Sequence, residues 1–149
     1  MKKAIIITLS LICNLCFGQI NIDKLNIDFK INQKPIIIYF YTDWCAYCKI
    51  QEKEIEKIKA FQETVYFIKL NAESDQKIHF LGIDFNPNKS ENNIKTHEFV
   101  KEFIQSKEQE SYPFLVILDK NLEVLERYNG LLTTEKLTVI INALKKGTF

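Results

Sequence analysis

Six consecutive residues, Ile36-Ile37-Ile38-Tyr39-Phe40-Tyr41, constrain this chain more than any other stretch. A β-branched and aromatic run with no polar alternation reads as a strand buried on both faces, the kind found in the middle of an α/β sheet. Pro35 opens it, where a missing N–H costs least. After the turn Thr42-Asp43-Trp44, the segment Ala46 to Phe61 places Tyr47, Ile50, Ile55, Ile58 and Phe61 near one helical face. The Glu/Lys run from Glu52 to Lys59 reads as the solvated face of that helix. Val65 to Leu70 is a second apolar strand.

The rest of the chain supplies the partners such a strand needs. Ile78-His79-Phe80, Leu81-Gly82 and Ile83-Asp84-Phe85 predict a hairpin over residues 77–86, with Gly82 providing the positive φ. It is expected outside the central sheet, as a surface accessory whose removal spares the chemistry. Asn86 to Asn93 is turn-rich loop. Thr96 can cap a helix running to about Gln109, with Phe99, Val100, Phe103 and Ile104 on one face. His79 and His97 read as loop and helix-surface residues. Phe114 to Leu118 and Leu122 to Tyr128 form a hairpin across Asp119-Lys120-Asn121. Thr133 or Thr134 caps a last helix bearing Leu137, Ile140, Ile141 and Leu144. Residues 19–34 fit a short helix or an edge strand, and the pattern does not choose. The order βα, β, α, ββα fits one domain, a sheet covered on both faces.

Composition narrows the function. Among 149 residues, 20 Lys+Arg stand against 19 Asp+Glu. That balance gives no basic surface for nucleic acid or anionic lipid.

The first eighteen residues are of another kind. Met1-Lys2-Lys3 is a positive start, Ala4 to Leu15 is almost wholly apolar, and Cys16-Phe17-Gly18 ends in a small residue before Gln19. This is the pattern of a cleaved secretory signal over 1–18, with the folded domain at 19–149. The apolar run falls short of the ~20 residues that span a bilayer. Neither Cys13 nor Cys16 has the preceding residues a lipid-modified cysteine wants. Cleavage removes both, so the exported chain is expected to hold two thiols, Cys45 and Cys48, in an oxidising periplasmic or extracellular setting.

Those two cysteines follow a buried strand and open a helix. Free N–H groups and the dipole at a helix start stabilise a thiolate, which makes the first cysteine a nucleophile near neutral pH. The three-residue spacing brings Cys48 within reach of a disulfide with Cys45. A purely structural bridge is a weak alternative, because so short a loop constrains the unfolded chain by only about 2 kcal/mol. Half a zinc site is another, but only His79 and His97 remain as ligands, at no finger-like spacing. No metal or cofactor is expected.

With these residues in place, the sequence resembles the thioredoxin superfamily over roughly Lys34 to Lys146. The resemblance rests on Ile36–Tyr41 leading into Thr42-Asp43-Trp44-Cys45-Ala46-Tyr47-Cys48-Lys49, then Lys69-Leu70-Asn71, Tyr112-Pro113 and Gly130. It is similar in particular to secreted bacterial thioredoxin-like proteins. The resemblance implies a thioredoxin-like fold, a central mixed sheet flanked by helices, into which the hairpin segment read above would be inserted. It also implies a cis bond at Pro113 beside the cysteines and dithiol–disulfide exchange through Cys45. Three departures stand out. Ala46-Tyr47 replaces Gly-Pro, Tyr39 occupies the place of a buried acid, and about 25 extra residues lie between Asn71 and Pro113.

The expected function is thiol:disulfide oxidoreductase. Cys45 attacks, Cys48 resolves, and Trp44, Asp43, Lys69, Tyr112 and Pro113 are the neighbours. Trp44 is expected partly exposed for substrate contact, Asp43 near enough to act on the cysteines electrostatically, and Lys69 toward the buried thiol. Clients are proteins with disulfides or thiols, met by a monomer. Working as a reductase in an oxidising compartment, the chain needs a membrane thiol reductase as electron donor. The competing reading is a thioredoxin-fold binding module or a Cu(I) carrier without turnover.

Overall fold

The computed structural model describes residues 21–58, 61–88, 96–105 and 110–149. The expected signal segment 1–18 lies outside them. A four-stranded sheet carries the fold, in the order β2 (Tyr66–Asn71), β1 (Ile36–Tyr41), β5 (Phe114–Leu118), β6 (Val124–Asn129). β1 runs parallel to β2 and antiparallel to β5, and β6 returns antiparallel on β5. The apolar run of β1 is thus hydrogen-bonded on both edges, as its composition demands. The mixed α/β sheet flanked by helices is the expected fold class.

Side chains alternate across a strand, so the two parities of β1 serve two different cores. Ile36, Ile38 and Phe40 meet Leu25 and Phe29 of α1 (Ile22–Ile31), Ile78 and Phe80 of β3 (Ile78–Phe80), and Phe99 and Val100 of α4 (Glu98–Lys101). Ile37 and Tyr39 meet Cys45, Cys48 and the apolar face of α5 (Thr134–Lys146), made by Leu137, Ile140, Ile141 and Leu144. α2 (Ala46–Glu56) lies on this second side.

The undecided segment 19–34 holds helix α1, capped by the Asn21 side chain on the Asp23 N–H. The predicted helix 46–61 is shorter. Ile58 N–H bonds the Ile55 carbonyl three residues back, a tightening that ends α2, and a separate turn, α3, covers Phe61–Thr64. Its inward face is also rotated from expectation. Cys48 and Gln51 are buried and Ile55 packs beside them, while Tyr47 and Ile50 are exposed. The disulfide sets this register, because Cys48 must point at the sheet.

The helix predicted from Thr96 is reduced to the single turn α4, capped by His97 rather than Thr96. The Phe103 carbonyl, which a following turn would use, accepts from Arg127 Nε of β6 at 2.8 Å. Residues 106–109 lie outside the described set. His97 is fully buried, not on a helix surface: Nδ1 accepts the Phe99 N–H and Nε2 bonds the Gln76 carbonyl.

The hairpin of β3 and β4 (Ile83–Phe85) forms where the sequence predicted it, as a sheet of its own. Leu81 and Gly82 both take positive φ in the turn. It is no passive accessory, however. Phe80 and Phe85 each pack a ring against Phe99, with centroids 4.9 Å apart, and Phe80 is buried.

The supposed solvated face of α2 also does structural work. Glu54 accepts both the N–H and hydroxyl of Thr134, at 2.9 and 2.6 Å, stitching α2 to the start of α5. Lys57 and these Thr134 bonds hold the Glu54 carboxyl down at about 2, below the range for an unfolded chain. A lowered folded-state value stabilises the fold above the unfolded pKa and loses that contribution as pH falls. Urea midpoints are therefore expected to drop between about pH 4.5 and 2. In Glu54→Gln the drop over this window is shallower, which parallel urea titrations measure.

Candidate active site

β1 ends where the chain must leave the sheet, and Thr42 to Cys45 make the turn. The Cys45 N–H bonds the Thr42 carbonyl at 3.2 Å, and Cys45 then becomes the N-cap of α2. An N-cap side chain accepts from the first helical N–H groups. Here the acceptor is sulfur: Cys45 Sγ takes the Cys48 N–H at 3.0 Å. The two cysteines form a disulfide with Cα atoms 5.3 Å apart. Cys45 is 4% exposed and Cys48 1%, so the difference in access is small. What separates them is position on the helix. Cys45 faces the unpaired N–H groups at the positive end of the dipole, a place that favours a thiolate once the bridge opens.

Tyr39 stands beneath the pair. Fully buried, it donates its hydroxyl to the Cys48 carbonyl at 2.9 Å. Burial pushes its proton affinity well above that of an ordinary tyrosine, and the charge on Glu52 and the neighbouring Tyr41 push the same way. Tyr39 therefore stays neutral and works as a hydrogen-bond donor. Lys69, its register partner on β2, lies over the Tyr41 ring at 4.5 Å and pairs with Glu52 at 2.9 Å.

The rim is aromatic and acidic. Trp44 is 70% exposed, which excludes a core role. Its indole N–H donates to Glu73 at 3.1 Å, and its ring meets the edge of Tyr112 at 6.3 Å between centroids. Asn71, at the end of β2, links the loops: Nδ2 donates to Asp43 and Oδ1 accepts the Glu73 N–H. Asp43 is thus engaged with Asn71. Tyr112 precedes a cis bond to Pro113. Phe40 pairs with Phe114, so this bond lies at the cysteine end of the sheet. Burial pushes the Tyr112 hydroxyl up to about 12, with Glu110 and Glu73 adding to the effect.

Three contributors escaped the sequence reading. Glu73 and the bridging amide of Asn71 could be found only once β2 was paired with β1. Gln51 is fully buried, its Oε1 taking the Leu132 N–H at 2.7 Å and its Nε2 giving to the Leu132 carbonyl at 3.1 Å. Its signal was the spacing of three from Cys48, which puts it on the same inward face. Among the described residues no three His, Cys, Asp or Glu side chains gather as a metal site, and no helix is long and apolar enough to cross a membrane.

Comparison with known proteins agrees with this geometry. The family model of the thioredoxin-like domain matches residues 22–145. No curated protein matches the chain. Among solved structures, the germline-specific thioredoxin Deadhead of Drosophila melanogaster aligns with TM-score 0.55 and 19% identity, over 82% of this chain and 91% of its own. Chloroplastic thioredoxin z aligns with TM-score 0.54 and 18% identity, over 86% and 93%. At such identities these two speak for the fold. The cysteine pair in that fold points to thiol–disulfide oxidoreductase chemistry in general. The match over residues 22–145 settles the family: the chain belongs to the thioredoxin-like domain proteins.

Proposed function

We propose that the protein is a thiol:disulfide oxidoreductase acting on protein disulfides in the bacterial periplasm or outside the cell. One observation carries this reading: Cys45 caps the helix with its sulfur on the Cys48 N–H, next to an exposed tryptophan. The Cys45 thiolate attacks a client disulfide, forming one S–S bond to the client and releasing its other sulfur as a thiolate. Cys48 then attacks Cys45 Sγ, closing the Cys45–Cys48 bond and releasing the second client thiolate. The client gains two electrons and the pair loses them. Trp44, exposed next to Cys45 and set edge-on to Tyr112, offers an aromatic contact for the client chain. The basic-then-apolar start of the sequence supports export with cleavage before Gln19. A monomer fed by a membrane thiol reductase completes the proposal.

Insulin reduction driven by dithiothreitol tests it, together with the midpoint of the Cys45–Cys48 pair against glutathione. Turnover is expected, with a potential nearer about −270 mV than about −120 mV for a reductase. A stable bridge without turnover would leave a binding module.

A further inference from the structure

The segment Ala72–Gln76 carries Glu73, the carboxylate that holds the Trp44 indole at the rim. Two ties from one residue fix this segment. The His97 backbone N–H donates to the Ala72 carbonyl at 2.8 Å, and the His97 ring reaches the Gln76 carbonyl through Nε2 at 3.0 Å. Glu73 stands between the two ties. The ring is committed on its other side as well, because Nδ1 accepts the Phe99 N–H at 3.1 Å. An accepting Nδ1 is unprotonated, so the ring hydrogen sits on Nε2, where the Gln76 carbonyl needs a donor. One neutral tautomer satisfies every partner.

A second proton finds no place in this arrangement. It would enter at Nδ1, against the Phe99 N–H, on a residue that is fully buried. Two donors would then face each other, and a charge would lie out of water. The described carboxylates around the ring are engaged elsewhere. Glu98, next on α4, accepts the Asn86 N–H at 2.7 Å, and Glu110 accepts the Thr96 hydroxyl at 2.5 Å. On the tied segment Glu73 holds Trp44 and Asp75 is exposed; beyond it Lys77 pairs with Asp84 at 2.6 Å. Lys101, the last residue of α4, is exposed. Burial is the largest influence on the ring and holds its proton affinity below that of an ordinary histidine. The Gln76 carbonyl and the charge on Glu98 pull less strongly the other way.

We infer that His97 is a positioning residue for the active-site rim: neutral, it clasps the segment that holds Trp44, and on taking a proton it lets that segment go. A charged ring must reach water, and it does so by turning outward past Gln76, itself exposed. That movement gives up the Gln76 tie and leaves Ala72–Gln76 fixed at one end only. Glu73 loses its set position, and the indole loses its acceptor. The clasp goes beyond the exchange reading. Only its bearing on clients, which would meet a fixed Trp44 at neutral pH and a loose one in acid, rests on that reading.

Trp44 is the only tryptophan in the chain, so the tryptophan band of the near-ultraviolet circular dichroism reads how firmly it is held. In the oxidised mature chain the Cys45–Cys48 bridge keeps thiols out of the titration. Between about pH 8 and 5 the band is expected to lose about half its intensity or more, in one step with a midpoint below 6.5. The far-ultraviolet spectrum stays unchanged through that step. His97→Asn keeps an oxygen able to cap the Phe99 N–H but has no titrating ring, and it shows no step. Glu73→Gln keeps an acceptor for the indole and removes the carboxylate, and there the step remains. The ring resonances of His97, told from those of His79 by His79→Gln, move with the same midpoint as the band. A band flat over this range overturns the inference, as does a step that survives His97→Asn or vanishes in Glu73→Gln. Should His97→Asn not fold, as thermal unfolding reports, the wild-type midpoints decide, and a ring and a band that titrate apart overturn it. Failure of the exchange reading would look different: insulin turnover would be absent and this step would still be present.

Discussion

Replacing Cys48 with alanine is expected to leave client proteins covalently attached to Cys45, as adducts that survive non-reducing gels and dissolve with dithiothreitol. Resolution needs a second thiol at disulfide distance, and the described residues offer Cys45 only this one, with Cα atoms 5.3 Å apart. Replacing Cys45 should bring both exchange and trapping down to background, because the sulfur that faces the helix N-terminus is gone. Alkylation of the reduced protein against pH checks the same assignment. Cys45 is expected to react faster and at lower pH, drawn down by the N-cap position and the Cys48 N–H. A faster Cys48 would reverse the roles.

The second large effect concerns stability. Phe80→Ala is expected to cost about 3–5 kcal/mol, the range for removing a buried phenylalanine. Phe80 is 7% exposed and packs on Phe99, which itself stacks edge-on with Phe40 of the central strand. Against a total stability of roughly 5–15 kcal/mol, that lowers the melting temperature by about 10 °C or more. Deleting residues 77–86 should therefore unfold the protein rather than yield a trimmed enzyme. The contrast within the same hairpin is His79→Ala, where an exposed ring paired with Asp84 is removed and the midpoint moves little. Circular dichroism melts of both variants make the comparison. Equal, small shifts would mean the hairpin contributes nothing to the core.

The sequence was most readable where one physical demand dominated. Ile36–Tyr41 could only be an interior strand, and Leu137, Ile140, Ile141 and Leu144 could only face a core. Cys45 and Cys48 declared their chemistry through their place between strand and helix. The reading failed where competing demands met. Tyr47 and Ile50 are apolar, yet a disulfide elsewhere on the helix fixes its rotation and leaves them in water. Thr96 looks like a better cap than His97, but a histidine ring that satisfies two backbone groups at once suits a buried turn. Glu52 and Glu54 look alike in a charged run. One reaches Lys69 on β2 and the other Thr134 on α5, and only the packed helices tell them apart.

The alternating allegiance of β1 limits how this chain can change length. Its odd-numbered side chains belong to the redox centre and its even-numbered ones to the core under the hairpin. Adding or dropping one residue inside Ile36–Tyr41 would exchange the two sets, placing isoleucine where Tyr39 holds the Cys48 carbonyl and tyrosine among the phenylalanines. Paired strands on both edges leave no slack to absorb the slip. Insertions and deletions are therefore barred from the middle of the molecule. Length has room to vary outside these strands and the hairpin packed on them, as at the exposed tip 120–122 between β5 and β6.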